Sequence, residues 1–221
     1  MPKVGVILSG CGVFDGAEIH ESVAVLHALD RHDANIVCLA PNIDLQEIDH
    51  LTQEPTGNTR NVLREAARIA RGEIADLSTV LGSQFDAIVL PGGFGAAKNL
   101  CDFAMKGADC TADEQTARVL TEAHEAGKPL GFACISPALA ARVFGQSLNP
   151  TLTIGDDAGT AQGLEAMGAK HQDCAVDDIV VDEANQIVST PAYMRPQRVT
   201  EIFTGIGKMV DKVMEMAQQP A

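Results

Sequence analysis

Positive charge is scarce in this chain. Sixteen Lys and Arg stand against thirty Asp and Glu in 221 residues, a net charge of −14. Such a surface repels phosphate backbones and anionic lipid, so nucleic acid and membranes are not expected partners. No stretch approaches the roughly 18 consecutive apolar residues of a membrane-spanning helix. The opening MPKVGVILSG has one Lys and an apolar run too short for the core of a secretory signal. The expectation is a soluble, cytoplasmic protein. The six cysteines (Cys11, Cys38, Cys101, Cys110, Cys134 and Cys174) include no C-x-x-C pair and no zinc-type Cys/His spacing. Neither a disulfide framework nor a metal is expected, and each cysteine is by default a small apolar residue. The chain also lacks internal repeats, low-complexity tracts and any linker, so residues 1–221 are expected to form a single domain.

What the chain does have is an alternation of apolar runs and helical periodicities. VGVILSG reads as a buried strand ending in a Gly-rich turn, followed by a helix in which Ile19, Val23, Leu26 and Leu29 recur at helical spacing. ANIVCLAPN is a second strand, stopped at Pro41. NTRNVLREAARIARGE reads as an amphipathic helix with Thr59 as N-cap and Val62, Ala66 and Ile69 on one face. FDAIVLPGGFG is a third strand running into a turn, and LGFA a fourth, with a helix between them that closes at Gly127 and Pro129. DIVVDEANQIVSTP predicts a hairpin, and residues 197–217 a closing helix. Its methionines are spaced for packing the domain or a subunit contact. Continuous apolar strands interleaved with helices predict a three-layer, flavodoxin-like α/β fold, with a mainly parallel sheet and a small β-hairpin appendage.

In such a sheet, ligands gather at the carboxyl ends of the strands. Three strand-end loops carry chemistry: SGCGVFDGAE, PGGFG and CISP. Ser136 and Pro137 signal a helix start just after Cys134, ending at Gly145. Cys134 therefore belongs in a sharp strand-to-helix turn, like the nucleophile elbow of α/β hydrolases. A helix N-terminus lowers a thiol's pKa and favours the nucleophilic thiolate. The plainer reading is one more buried cysteine. LPGGFG offers backbone donors for an oxyanion, although Pro-Gly-Gly turns are common. Glu18, His20 and Glu21 open the first helix, where acids suit the helix dipole or, if buried, act as proton shuttles.

Together VILSGCGVFDGAEIHE, LPGGFGAAKNL and GKPLGFACISPA resemble the PfpI and class I glutamine-amidotransferase-like superfamily. More closely they resemble its enhancing-lycopene-biosynthesis (ElbB) branch, described as a glutathione-independent glyoxalase. TRNVLREAARIARGEI and AVDDIVVDE followed by STPAYM extend the likeness over nearly the whole chain. The resemblance implies Cys134 as nucleophile, Glu21 as its acidic partner with Glu18 second, and the amides of Gly93 and Ile135 at the oxyanion. Cys11 and Phe94 are expected to line the pocket. It also implies a homodimer without cofactor or metal.

The chain departs from the family in histidine. PfpI-like members place one directly after the cysteine, where this chain has Ile135. TLTIGDD has none where deglycase-like members do, and His171 lacks the acid of an amidotransferase motif. His20 and His124 read as surface residues. These absences weigh against glutamine hydrolysis and proteolysis, which need a base to protonate a leaving amine. The expected activity is that of a cofactor-independent lyase: Cys134 adds to a small 2-oxoaldehyde such as methylglyoxal, Glu21 shuttles a proton through an enediol, and hydrolysis releases a 2-hydroxy acid. The alternative is a cysteine-based redox sensor or chaperone-like binding module, with Cys11 as resolving thiol. Gly10, Gly12 and Gly16 weakly resemble a dinucleotide-binding loop, but CLAPN lacks the ribose-binding acid. Arg60, Arg64, Arg68 and Arg71 read as a solvated helical face.

Overall fold

The four apolar runs VGVI, NIVCLA, AIVL and LGFA lie side by side in one sheet. The structure is a computed structural model in which residues 1–195 and 198–218 are described. From the N-terminus the elements are β1 (Lys3–Ile7), α1 (Ile19–Asp30), β2 (Asn35–Ala40), β3 (Asp44–Ile48), β4 (Pro55–Asn61), α2 (Val62–Ile69), β5 (Ile74–Asp76) and β6 (Ala87–Leu90). Then come the short helices α3 (Phe94–Lys98) and α4 (Phe103–Lys106), α5 (Glu114–Glu125), β7 (Leu130–Ala133), α6 (Pro137–Leu148), β8 (Thr151–Leu152) and α7 (Ala158–Ala166). β9 (Lys170–His171), β10 (Val180–Asp182), β11 (Ile187–Thr190) and α8 (Val199–Ala217) complete the chain, Gln197 of the anticipated closing helix lying outside the described residues.

The main sheet runs β10-β11-β7-β6-β1-β2-β5, and every neighbouring pair is parallel except β10 with β11. Its central order, with β2 on one side of β1 and then β6, β7 and β11 on the other, is the flavodoxin-like arrangement. Alternation along each strand feeds two cores. Val4, Val6 and Leu8 pack with α1, α2 and α8 on one face, whereas Ile7, Leu130 and Phe132 pack with α5, α6 and α7 on the other. Each such side chain taken fully from water contributes about 1.5–3 kcal/mol. This is the expected three-layer fold, and the DIVVDEANQIVSTP hairpin is the antiparallel β10–β11 edge.

Four local expectations are revised. Thr59 does not cap a helix: residues 55–61 form β4, which pairs antiparallel with β3, and Asn61 caps α2 by accepting from the Arg64 amide. Arg60 consequently leaves the proposed arginine face and pairs with Glu47 and Glu65. In α1 the anticipated apolar stripe is rotated, because Ile19 and Val23 are exposed while Glu21, Ser22, Val25 and Leu29 are buried. α6 runs past Gly145 to Leu148; a Cβ at Gly145 would lie 2.2 Å from the Met167 carbonyl oxygen, so this glycine serves helix packing and Asn149 takes the left-handed cap.

Candidate functional site

β1, β6 and β7 end together beside the point where the chain reverses direction across the sheet, the usual place for a ligand crevice. Cys134 follows β7 directly. Its backbone is left-handed (φ +61°), and its amide donates to the Thr190 carbonyl at 2.9 Å. Ser136 occupies the N-cap position of α6 but does not cap it. Its hydroxyl turns back to the carbonyls of Ala133 (2.7 Å) and Leu90 (3.3 Å), tying the elbow to β6.

Glu21 reaches the cysteine because of how α1 begins. Glu18 holds the N-cap with extended backbone, and its carboxylate accepts from the Glu21 amide at 2.7 Å. That start turns Glu21 inward to complete burial. Its two carboxylate oxygens accept from the amides of Gly92 (2.8 Å) and Tyr193 (3.1 Å), and the Cys134 thiol hydrogen-bonds to the same carboxylate. Glycine is required at position 92, since a Cβ there would fall 2.3 Å from the Cys134 Cβ and 2.8 Å from Glu21 Oε2. The next residue, Gly93, has φ +93° and directs its amide, with that of Ile135, at the cysteine sulfur.

Burial pushes the Glu21 carboxyl up to about 7; the neighbouring Glu18 charge adds to this, and the Tyr193 and Gly92 amides oppose it. Burial likewise pushes the Cys134 thiol well above its usual value, reinforced by Glu21 and opposed by the amides of Gly93 and Ile135. The sequence expectation of a lowered thiol pKa is therefore reversed. Loss of water around the sulfur and a carboxylate at hydrogen-bond distance outweigh the helix N-terminus. Near neutral pH the pair consists of a thiol and a carboxyl group about half ionised, whose carboxylate form can take the thiol's proton.

Cys134 opens onto a cavity of about 480 Å³, also lined by Val13, Glu18, Phe94, Phe103, Ile135, Asp157, Tyr193 and Met194, while Glu21 is itself fully buried. Phe94 thus stands at the mouth of this cavity, half exposed. Cys11 does not share it, contrary to expectation. It lines a separate polar cavity with Asp15, Glu47, His50 and Arg60, which removes it as a resolving thiol for Cys134. Among the described residues no histidine lines the Cys134 cavity. His171 is nearly buried elsewhere, accepting from the Ile154 amide, and His20 is exposed with Nδ1 2.9 Å from the Tyr193 hydroxyl. The Gly10–Gly16 turn folds on itself, Gly12 donating to Ala17 and Gly16 to Gly12, so these two amides are already engaged within the turn. Among the described residues no group of three or more His, Cys, Asp or Glu side chains is placed to hold a metal ion.

Tyr193, Phe103 and Asp157 escape the sequence reading. The signal for Tyr193 was present in STPAYM, which follows β11, a strand of the same sheet. It contains no glycine to mark it as a strand-end loop, yet Ala192 takes a left-handed backbone (φ +43°) that presents the Tyr193 amide to Glu21.

No protein-family model matches the chain. It is 45% identical over 225 residues to the human protein named glutamine amidotransferase-like class 1 domain-containing protein 3, mitochondrial, covering 97% of this chain and 83% of that one. It is 35% identical over 232 residues to the mitochondrial ES1 protein of Danio rerio, covering 97% and 86%. Among solved structures, an isoprenoid biosynthesis protein with an amidotransferase-like domain from Ehrlichia chaffeensis superposes with a TM-score of 0.90 at 36% identity, covering 96% of this chain and 99% of that one. Glyoxalase III of Candida albicans shares the fold at 13% identity, with a TM-score of 0.62 and 97% of each chain covered. Both curated relatives are mitochondrial proteins, which overturns the cytoplasmic expectation. That expectation rested on the want of a secretory signal, which does not distinguish among intracellular compartments. A flavodoxin-like sheet, an elbow cysteine and an early-helix glutamate converge with these likenesses, and the chain belongs to the class 1 glutamine amidotransferase-like family.

Proposed function

We propose that the chain is a glutathione-independent, glyoxalase-type enzyme acting on 2-oxoaldehydes through Cys134 and Glu21. The observation that carries this reading is the hydrogen-bonded pair itself: a buried thiol against a fully buried carboxyl whose pKa is raised to about 7, with neither histidine nor cation in the cavity lining among the described residues. A base of that pKa suits proton transfer at neutral pH.

As the thiol adds to the aldehyde carbon, its proton passes to Glu21. The new oxyanion is held by the backbone amides of Gly93 and Ile135 until Glu21 returns that proton, giving a neutral hemithioacetal. The Glu21 carboxylate then removes the C1 hydrogen. The resulting enediolate collapses as Glu21 delivers that proton to C2 and the C1 hydroxyl proton passes to the C2 oxygen, leaving a 2-hydroxy thioester. Water attacks the thioester, C1–S cleaves, and the thiol is restored with a 2-hydroxy acid released. The sum is aldehyde plus water, with no external oxidant.

The redox-sensor reading is weaker, because a thiol whose pKa is pushed up is a poor target for peroxide. The test is methylglyoxal turnover without glutathione, with lactate quantified, for wild type, Cys134→Ala and Glu21→Gln. Turnover of at least about one per second that both substitutions abolish supports the reading. kcat/KM should rise with pH through about 7 as Glu21 ionises. Turnover unaffected by Cys134→Ala would end it.

A further inference from the structure

The cavity is large and apolar, and it holds charge of one sign only. Its volume of about 480 Å³ lies in the range that encloses drug-sized ligands, whereas methylglyoxal has only a handful of atoms. Val13, Phe94, Phe103, Ala104, Ile135 and Met194 supply the apolar wall. One part of that wall is fixed by α7: a Cβ at Gly163 would come within 2.8 Å of the Phe103 ring, so the absence of a side chain there sets where the ring lies. Among the described residues the charged side chains in the lining are Glu18 and Asp157, and no Lys, Arg or His joins them.

Two cations near the mouth are turned to other partners. Lys98 donates to the Phe14 carbonyl at 2.9 Å and lies over the outer Phe94 ring at 5.2 Å. Arg195 pairs with Asp156 at 2.6 Å and lines a different cavity. Asp157 is held in place as the N-cap of α7, accepting from the Thr160 amide at 2.8 Å. Its hydrogen bonds to Thr160 hold its carboxyl below the usual range, so it carries its charge at neutral pH.

We propose that this cavity selects bulky, apolar 2-oxoaldehydes, aryl or branched alkyl, that bear no negative charge, with Asp157 as the residue that turns anionic substrates away. The proposal rests on the glyoxalase reading for its aldehyde and on the cavity alone for its selectivity. The two can fail separately. A carboxylate or phosphate entering the cavity would leave water for an apolar wall and face two like charges without a cation to meet it.

The experiment measures binding first, with unreactive aryl ketones as probes: acetophenone (neutral), 4-acetylbenzoate (anionic) and 4-acetyl-N,N,N-trimethylanilinium (cationic). Each is titrated at pH 8 and low salt into wild-type protein and into Cys134→Ala, with ligand-observed NMR as readout and acetone as the small comparator. The neutral and cationic aryl probes should bind at least about tenfold tighter than both the benzoate and acetone. Asp157→Asn, which keeps an oxygen to cap α7, should narrow the benzoate gap by about threefold. Equal binding of acetone and acetophenone, equal binding of benzoate, or a gap that Asp157→Asn leaves unmoved would overturn the proposal. Phenylglyoxal and methylglyoxal turnover is then compared in wild type. If neither is converted while the binding order holds, the glyoxalase reading fails and the selectivity stands. If methylglyoxal is the better substrate by kcat/KM, the selectivity fails and the glyoxalase reading stands.

Discussion

Glu21 and Glu65 occupy matching places: each lies in the first turn of a helix on the same face of the sheet, and each is less than a tenth exposed. Their surroundings differ in the partners each carboxyl meets. Glu65 meets two guanidinium groups, Arg60 at 3.2 Å and Arg68 at 2.9 Å. Glu21 meets two backbone amides, a thiol and the nearby carboxylate of Glu18. Burial is thus common to both, and the countercharge separates a structural carboxylate from a reactive one. With cations at hand the carboxylate oxygens are taken up in ion pairs. Without them its proton becomes exchangeable near pH 7.

The comparison can be broken most directly at the sulfur. Removing the group that Glu21 serves, by Cys134→Ala, should lower 2-oxoaldehyde turnover by about 10³-fold or more, whereas Glu65→Gln should leave it within about twofold; steady-state lactate formation measures both. The next effect is thermodynamic. Glu21 has a folded pKa of about 7 against an ordinary 4.5, so between those values the folded state holds a proton that the unfolded state has lost. Stability then falls as pH rises through that window, by about 3 kcal/mol for this group at 1.36 kcal/mol per unit. Urea unfolding of wild type minus Glu21→Gln should show that slope between pH 4.5 and 7. Identical slopes would mean that burial does not raise the Glu21 pKa. Gly92→Ala forces a methyl group against the cysteine and the glutamate together. It should cost about 2 kcal/mol as overpacking and shift the pH midpoint of any turnover that survives. The smallest effect belongs to Glu65→Gln, about 1 kcal/mol because its arginines are well exposed, and it should shrink with added salt.

Much of this was legible in the sequence, and the reasons are local. Strands buried on both faces announce themselves as apolar runs, so β1, β2, β6 and β7 were readable, as was the turn that places Cys134. β3 and β4 were not. Every residue of β4 but Asn61 is exposed, and the strand is held by Thr56, Asn58 and Arg60 reaching across to Glu47 rather than by an apolar period. The stripe on α1 was misread because two of its buried positions are Glu21 and Ser22, polar residues that satisfy themselves inside the fold. The same blindness reversed the thiol's pKa. A helix N-terminus can be seen in a sequence, whereas a carboxylate more than a hundred residues away, folded against the sulfur, cannot.

The left-handed backbone of Cys134 has a consequence for how this protein would change in the laboratory. An L-residue other than Gly, Asn or Asp held at that conformation costs about 1 kcal/mol or more. Glycine at position 134 would relieve that cost and also empty a crowded corner beside Gly92. A population of variants selected for thermal endurance alone should therefore discard the thiol early, and one selected for chemistry should keep it while gathering its stabilising changes elsewhere. Which of these a lineage does would reveal, without any assay of substrate, whether the sulfur is used.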